Sequence, residues 1–315
     1  MRVTLRAGLT LFAIAAVMAG YYFWGRTDEP MNPMPASMPA TLGPTAHQDP
    51  VTTSADGTSN NPGKIQPLTT RVFNPLQRTA DLRSIYEQYR DSKDTSERNI
   101  AYLAWSACFP TFIAAQGGMV PVEDVTAALP ANDPNRELRA AAYRALWGRC
   151  KGFSDMARDR LLAETQKQRD AWMSGRAHAP GDSAAQAHMA GSSQQALTIA
   201  RAAVASQDPY AIGSLREFVI HYWWDHNDNH PDDQVDRPDL RALAFSIVAC
   251  QTGLECGAGS LTAMQQCANS GACSGTVLDR YLQSLPTQED RDAVLEESRR
   301  IADAIRANDY KALGL

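Results

Sequence analysis

Apolar residues recur at helical spacing from about residue 78 to the C terminus. After Thr79, which we interpret as an N-cap, the first run follows the i, i+3, i+4, i+7 pattern of an amphipathic helix. Its members are Leu82, Ile85, Tyr86 and Tyr89. A second run begins at Ile100 and is interrupted by Pro110. The sequence contains neither the alternation of a β-hairpin nor a βαβ order, so the pattern predicts an all-α fold.

Several of the predicted helices begin at an N-terminal signal. Asp133-Pro134 and Asp208-Pro209 each place a capping acid before a proline at the first helical position. A long helix is predicted after Asp182, with one apolar face that continues to position 203. Thr287 and Asp290 resemble a capping box in front of the last helix.

The body of the chain, residues 71–315, is predicted to form one all-helical domain. Its many alanines suit close packing of helices, either in a bundle or in a short solenoid of helical hairpins. A division near the glycine- and serine-containing stretch 174–193 is the alternative.

An uncharged run of nineteen residues, 7–25, lies near the N terminus and reads AGLTLFAIAAVMAGYYFWG. As a helix it would rise about 28 Å, close to the hydrocarbon thickness of a bilayer. Arg2 and Arg6 precede it, and the positive-inside rule places them in the cytoplasm. Aromatic residues 21–24 at its far end are typical of a membrane interface. Residues 1–26 are therefore predicted to be a cytoplasmic stub and a transmembrane signal anchor in the inner membrane.

A cleaved signal peptide is the competing interpretation of this run. The small residues around Ala19, before Gly20, would serve as a cleavage site. The product would be a soluble periplasmic or secreted protein. Both interpretations export residues 27–315, and the anchored form is predicted to hold them in the periplasm.

Residues 27–70 contain eight of the eighteen prolines of the chain and almost no large aliphatic residues. Such a composition cannot bury enough apolar area to offset the entropy of ordering. We expect a disordered, Pro/Thr-rich linker between the anchor and the helical body.

Composition and charge indicate a globular protein and exclude one class of partner. The chain has 315 residues, 44 % of them hydrophobic, as in a globular protein. Thirty basic residues stand against thirty-five acidic ones, which gives a formal net charge of −5. A nucleic-acid-binding protein would show a basic excess, so we expect no nucleic-acid partner.

The chain has an even number of cysteines, which in an exported protein indicates disulfide bonds. They are Cys108, Cys150, Cys250, Cys256, Cys267 and Cys273. We expect Cys108 to pair with Cys150. The other four form two C-x5-C segments at predicted helix ends and are expected to pair among themselves, in a connectivity that the sequence leaves open. Zinc is the rival role, but structural zinc sites use shorter gaps.

Three histidines and four aspartates lie within residues 221–233. Imidazole and carboxylate groups suit a divalent cation, and an i, i+4 spacing places His226 and His230 on one helix face. Asp225, His226 and His230 are therefore the candidate metal ligands. The alternative is a helix end followed by a solvated acidic loop.

The sequence contains no H-E-x-x-H, G-x-S-x-G, P-loop or G-x-G-x-x-G motif. The adjacent Glu297 and Ser298 resemble the Glu-Ser pair of lytic transglycosylases, which are also helical and exported. No companion motif follows, and we interpret Glu297 as a solvated helix residue and Arg299 and Arg300 as surface groups.

These observations lead to two main functional hypotheses. The first is a membrane-anchored, disulfide-containing helical module that binds another cell-envelope protein or serves as a scaffold. The alternative is a metal-dependent hydrolase that uses the 221–233 cluster, in which the ion would activate a bound water. A helical glycan-cleaving enzyme that uses Glu297 is a third possibility.

Overall fold

The structure, a computed structural model, describes residues 68–226 and 238–315. These residues form thirteen α-helices, one short 3-10 helix and a pair of two-residue strands, so the predicted all-α class is confirmed. The predicted anchor at residues 7–25 lies outside the described residues, as does the predicted linker up to residue 67. None of the described helices is both long enough and apolar enough to cross a membrane.

The first part of the fold runs from the first helix to the sixth. The helices are α1 (Leu68–Arg78), α2 (Leu82–Tyr89), α3 (Thr95–Ser106), α4 (Val122–Ala127), α5 (Arg136–Cys150) and α6 (Arg158–Met173). Between α3 and α4, strand β1 (Ile113–Ala114) pairs antiparallel with β2 (Gly118–Met119). The 3-10 helix Lys151–Asp155 follows α5 directly.

Seven helices complete the described chain. They are α7 (Pro180–Met189), α8 (Ser193–Ala205), α9 (Pro209–His226), α10 (Pro238–Gln251), α11 (Leu261–Ser270), α12 (Val277–Ser284) and α13 (Gln288–Ala307). Helix α9 packs against α7 and α10, and α10 packs against α13.

Two of the predicted helix starts are confirmed. Helix α9 begins at Pro209, and the carboxylate of Asp208 accepts the N–H of Tyr210 at 3.0 Å. Thr287 caps α13, since its hydroxyl accepts the N–H of Asp290 at 3.0 Å. In each case the capping side chain satisfies an N–H that the first helical turn leaves without a partner.

The N-cap predicted at Thr79 is wrong. The cap of α2 is Asp81, whose carboxylate accepts the N–H of Arg83 at 3.0 Å. Thr79 lies two residues earlier, where its hydroxyl accepts the N–H of Asp81 at 3.1 Å. Thr79 therefore shapes the turn before the helix.

The helix start predicted at Asp133-Pro134 lies too early. Helix α5 begins at Arg136, and the carboxylate of Asp133 accepts the N–H of Asn135 at 2.8 Å in the preceding turn. Asp133 also pairs with the guanidinium of Arg139. Asp133 thus stabilises the turn before α5 and links it to the first part of that helix.

The long helix predicted after Asp182 is wrong as well. The helical conformation is interrupted at Gly191, whose φ of +79° lies in the left-handed region. Helix α7 ends before this glycine and α8 begins after it, and the two helices pack on each other. A left-handed residue cannot continue a right-handed helix, so one predicted helix becomes a helix pair.

Buried apolar side chains group into two clusters. The first lies among α1 to α6, the start of α9 and α11, and contains Trp105, Phe112 and Phe153. The second lies among α7 to α10 and α13 and contains Phe218 and Phe245. The first cluster also takes in Tyr210 and Leu261 from the later part of the chain, so the two clusters do not correspond to two consecutive segments.

Helix α1 is joined to much later parts of the chain. The side-chain amide of Asn74 donates to the carbonyl of Gly253 at 3.1 Å and accepts the N–H of Glu255 at 2.8 Å. Thr70 donates to the carboxylate of Asp208, immediately before α9. The first described helix is thereby fastened to the fold at both its beginning and its middle.

The expected disulfide bonds are confirmed, and all six cysteines are paired. The pairs are Cys108–Cys150, Cys250–Cys256 and Cys267–Cys273. The first joins the segment after α3 to the end of α5. Each of the other two closes a C-x5-C segment at a helix end, where Gly253 and Gly271 adopt positive φ angles.

Candidate functional site

A cleft with a strongly basic lining lies where α2 ends, α3 begins and the last turns of α6 lead into the following segment. About 350 Å³ of space lies between its walls, and this volume includes open solvent. Its lining residues are Arg90, Arg98, Lys167, Gln168, Ala171, Arg176 and Ala177. Four of these seven carry a positive charge and none carries a negative one, so we call it the basic cleft.

A hydrogen-bonded network beside the basic cleft fixes the positions of Arg90 and Gln168. The hydroxyl of the buried Tyr86 donates to Glu164, and the amide of Gln168 donates to Tyr86 at 3.1 Å. Glu164 also accepts from Nη1 of Arg90 at 2.6 Å. Burial raises the pKa of Tyr86, and its hydrogen bond to Glu164 raises that pKa further. The phenol therefore remains a neutral hydrogen-bond donor at physiological pH.

Arg90 and Lys167 are partly neutralised by acids outside the lining. Nε of Arg90 lies 3.2 Å from carboxylate oxygens of both Glu87 and Asp91. Nζ of Lys167 lies 2.6 Å from Asp91, and this hydrogen bond lowers the pKa of the Asp91 carboxyl. Burial works against the charge of Arg90, but Glu164 and Glu87 outweigh it and the pKa of Arg90 is raised.

Arg98 and Arg176 form no ion pair with a carboxylate in the part of the chain that the structure describes. Arg98 donates to the carbonyls of Arg176 at 2.8 Å and Ser92 at 2.9 Å, and thereby ties the segment after α6 to the start of α3. Nε of Arg176 donates to the hydroxyl of Ser174 at 2.8 Å. Two guanidinium groups of the cleft therefore have no carboxylate within ion-pair distance among the described residues.

Aromatic and amide side chains support the segment after α6 from behind. Tyr102 stacks on Trp172 with ring centroids 4.6 Å apart, and Trp172 meets the ring of His178 edge-on. The amide of the buried Asn99 donates to the carbonyl of Ala177 at 2.7 Å. Burial lowers the pKa of His178, so its imidazole is neutral at physiological pH.

The predicted metal site falls largely outside the described residues. Asp225 and His226 belong to the last turn of α9, and His230 lies beyond the described part of that region. Among the residues whose positions are described, no group of three or more His, Cys, Asp or Glu side chains is placed to hold a metal ion. The metal site at Asp225, His226 and His230 stays a prediction.

The expectation that Glu297 is solvated is wrong. Its side chain is only 8 % exposed and forms an ion pair with Arg241 of α10, whose side chain is 11 % exposed. Ser298 beside it is fully buried and donates to the carbonyl of Leu295 at 2.8 Å. The carboxylate lies on the face of α13 that packs against α10, so it is a buried charge with a fixed partner.

Arg299 and Arg300 are surface groups, as expected. Their side chains are 68 % and 62 % exposed, and each pairs with a glutamate three residues earlier on α13.

Sequence reasoning did not find the basic cleft. Its cations come from positions 90, 98, 167 and 176, of which two lie in α3 and α6, one directly follows α2 and one lies in the segment after α6. No charge run or motif joins them in the sequence, and the packing of α3 against both α2 and α6 brings them together.

No protein-family model, no curated protein and no solved structure matches this chain.

Proposed function

We propose that this protein is an exported helical module that binds a partner in the cell envelope or serves as a scaffold there. In this proposal residues 7–25 anchor the chain in the inner membrane, and residues 71–315 function in the periplasm. The cleaved form, a soluble periplasmic or secreted protein, is the alternative for the same body.

The observation that carries this proposal is the complete pairing of the cysteines. All six form disulfides, and none is left as a free thiol. Structural disulfides form and persist in oxidising compartments and are rare in the cytosol of mesophiles. This pairing agrees with the charge and aromatic pattern of residues 1–26, which directs the rest of the chain across the membrane.

The chemistry of the basic cleft supports binding in preference to catalysis. Its lining consists of arginine, lysine, glutamine and alanine side chains. The arginine and lysine side chains are hydrogen-bond donors only, and the glutamine amide and the alanines do not titrate. These groups can orient a ligand by charge and hydrogen bonds, and the lining contains no Ser, Cys, His, Asp or Glu side chain, the residues most often used in acid–base and nucleophilic catalysis.

Export is tested by fusing a reporter enzyme that is active only outside the cytosol behind residue 70. We expect activity from the full N-terminal region and none from a matched fusion that lacks residues 7–25. Protein purified from its host and denatured without a reductant should have no thiol that an alkylating agent modifies. A silent full-length fusion, or six reactive thiols, would overturn the proposal.

The partner is tested with the full-length chain, cross-linked in intact cells and purified in detergent. We expect a cell-envelope protein to be enriched over a matched sample in which only residues 1–70 are expressed. Equal recovery of every cross-linked protein in both samples would contradict a binding role for the helical body.

The metal-dependent hydrolase is the second candidate, and the composition of residues 221–233 favours it. We propose zinc or a similar divalent ion, held by Asp225, His226 and His230. Metal analysis of the purified protein should then show bound ion that a His226→Ala/His230→Ala variant lacks. Protein that stays free of metal after supplementation would exclude this candidate.

A further inference from the structure

We infer that the basic cleft is a binding site for an oxyanion, a carboxylate or phosphate group carried by a ligand. This inference does not depend on where the protein resides. It rests on the hydrogen-bond donors of Arg90, Lys167 and Arg176, on the way Arg98 holds the cleft together, and on the charge of all four.

The donors in the cleft exceed the acceptors that the protein supplies. A guanidinium has five N–H groups and an ammonium has three. Arg176 uses Nε toward Ser174, and its two terminal nitrogens meet no acceptor among the described residues. Nη2 of Arg90 likewise meets no acceptor among the described residues, because the carboxylates around Arg90 contact Nε and Nη1. An oxyanion has only acceptors and suits such a donor surplus.

The cleft is organised before any ligand arrives. Hydrogen bonds from Arg98 to two backbone carbonyls, and from Asn99 to the carbonyl of Ala177, hold the walls in place. The bonds among Tyr86, Glu164 and Arg90 hold the network beside them. A ligand therefore orders few groups when it binds, and Lys167 and Arg176 are the exposed side chains that it must immobilise.

Asp91 is a built-in competitor for the ligand. Its side chain is 68 % exposed, yet it pairs with both Lys167 and Arg90 at the cleft. A bound oxyanion would share these two cations with the Asp91 carboxylate. Removing the charge of Asp91 should therefore strengthen anion binding, an effect that a purely structural cluster of charges would not show.

The experiment is isothermal titration calorimetry of the full-length chain, purified in a non-ionic detergent and a chloride buffer. Inorganic phosphate is titrated in one arm and succinate in the other. We expect saturable binding in at least one arm, weakened by added salt. Arg176→Gln should lower the affinity by about 10-fold, the loss expected for a charge-assisted hydrogen bond. Asp91→Asn should raise it by about twofold to fivefold.

Arg299→Gln is the matched control, because Arg299 is an exposed arginine of α13 with one glutamate partner. The Arg299→Gln variant should bind the titrated anion with the same affinity as the unaltered protein. Phosphate binding alone identifies a phosphate ligand, and succinate binding alone identifies a carboxylate. Absence of saturable binding in both arms, or equal losses in Arg176→Gln and Arg299→Gln, would overturn the inference.

Discussion

Asp182 is a carboxyl group whose environment favours its protonated form. It lies in the first turn of α7, where its side chain accepts the N–H of Ala179 at 3.0 Å. Burial raises its pKa from 3.8 to about 6, against the lowering effect of that hydrogen bond. Nearby Glu217 raises the pKa further and Arg216 lowers it. The folded protein therefore binds this proton more tightly than the unfolded chain does, and the associated stability is lost as the pH rises from about 4 to about 6.

We expect Asp182→Asn to increase the free energy of unfolding at neutral pH by up to about 3 kcal/mol, because a shift of about two pKa units is removed. The amide oxygen of asparagine can still accept the Ala179 N–H. Urea unfolding at about pH 4 and about pH 7 measures the change, which should vanish at the lower pH.

Asp279→Asn is the control for this prediction. Hydrogen bonds from the side chain and the N–H of Thr276 lower the pKa of Asp279, so its substitution should destabilise the protein at neutral pH. A loss of stability in both variants at neutral pH would contradict our account of Asp182.

The ion pair between Arg241 and Glu297 should be costly to break from one side. Both side chains are nearly buried. Glu297→Gln removes the carboxylate charge that faces Arg241 at this nearly buried contact, and we expect a loss of about 3 kcal/mol in the free energy of unfolding. The double variant Arg241→Met/Glu297→Leu should recover much of that loss, since it removes both charges.

Arg299→Ala breaks an exposed pair with Glu296 on the same helix and serves as the control. It should change the unfolding free energy by less than about 0.5 kcal/mol. Equal losses for Glu297→Gln and Arg299→Ala in denaturant titrations would show that burial of the Arg241–Glu297 pair has no energetic weight.

Helices α7 and α9 approach each other at a glycine. The N–H of Gly181 donates to the hydroxyl of Ser214 at 2.9 Å, and a Cβ at position 181 would lie 1.8 Å from the Ser214 carbonyl oxygen. The obstacle is backbone, so a side chain at this position would force the helices apart.

We expect Gly181→Ala to destabilise the protein by about 2 kcal/mol or more, as overpacking does in other interiors. Gly148→Ala is the matched control, because Gly148 lies inside α5 with open space around its Cβ position. It should stabilise the protein by up to about 1 kcal/mol through helix propensity. Thermal unfolding of both variants decides, and a neutral Gly181→Ala would refute the close approach.

Element boundaries were predictable where a local interaction decides them. Asp208 contacts an N–H two residues away, so its role as the start of α9 follows from neighbouring residues alone. The break between α7 and α8 depends on Gly191, and the alanines on either side continue the same apolar spacing. Periodicity alone could not distinguish one long helix from two short helices that pack on each other.

The candidate sites also differ in how far neighbouring residues in the sequence could predict them. Disulfides were predictable because cysteine chemistry and an exported chain suffice to expect them. Burial of Glu297 could have been inferred from Val294 and Ile301, which lie three residues before and four residues after it and place it on the apolar face of α13. The basic cleft could not, since its charges meet only through tertiary packing.

On the scale of the whole molecule, the three disulfides should contribute unequally. Cys108–Cys150 spans 42 residues, whereas Cys250–Cys256 spans six. Because a longer loop restricts the unfolded chain more, we expect Cys108→Ala/Cys150→Ala to cost about 4 kcal/mol and Cys250→Ala/Cys256→Ala about 2 kcal/mol. Guanidinium titrations of the two variants test this order, and the reverse order would contradict the loop-length argument.

The fastening of α1 has a mechanical consequence. Tension applied to the chain ahead of Leu68 reaches this helix first. The helix cannot peel away without rupturing the links of Thr70 to Asp208 and of Asn74 to Gly253 and Glu255. The load is thereby shared with segments more than 130 residues further along the polypeptide. A surface that moves and pulls on the chain at this point would therefore leave the helical body behind α1 folded.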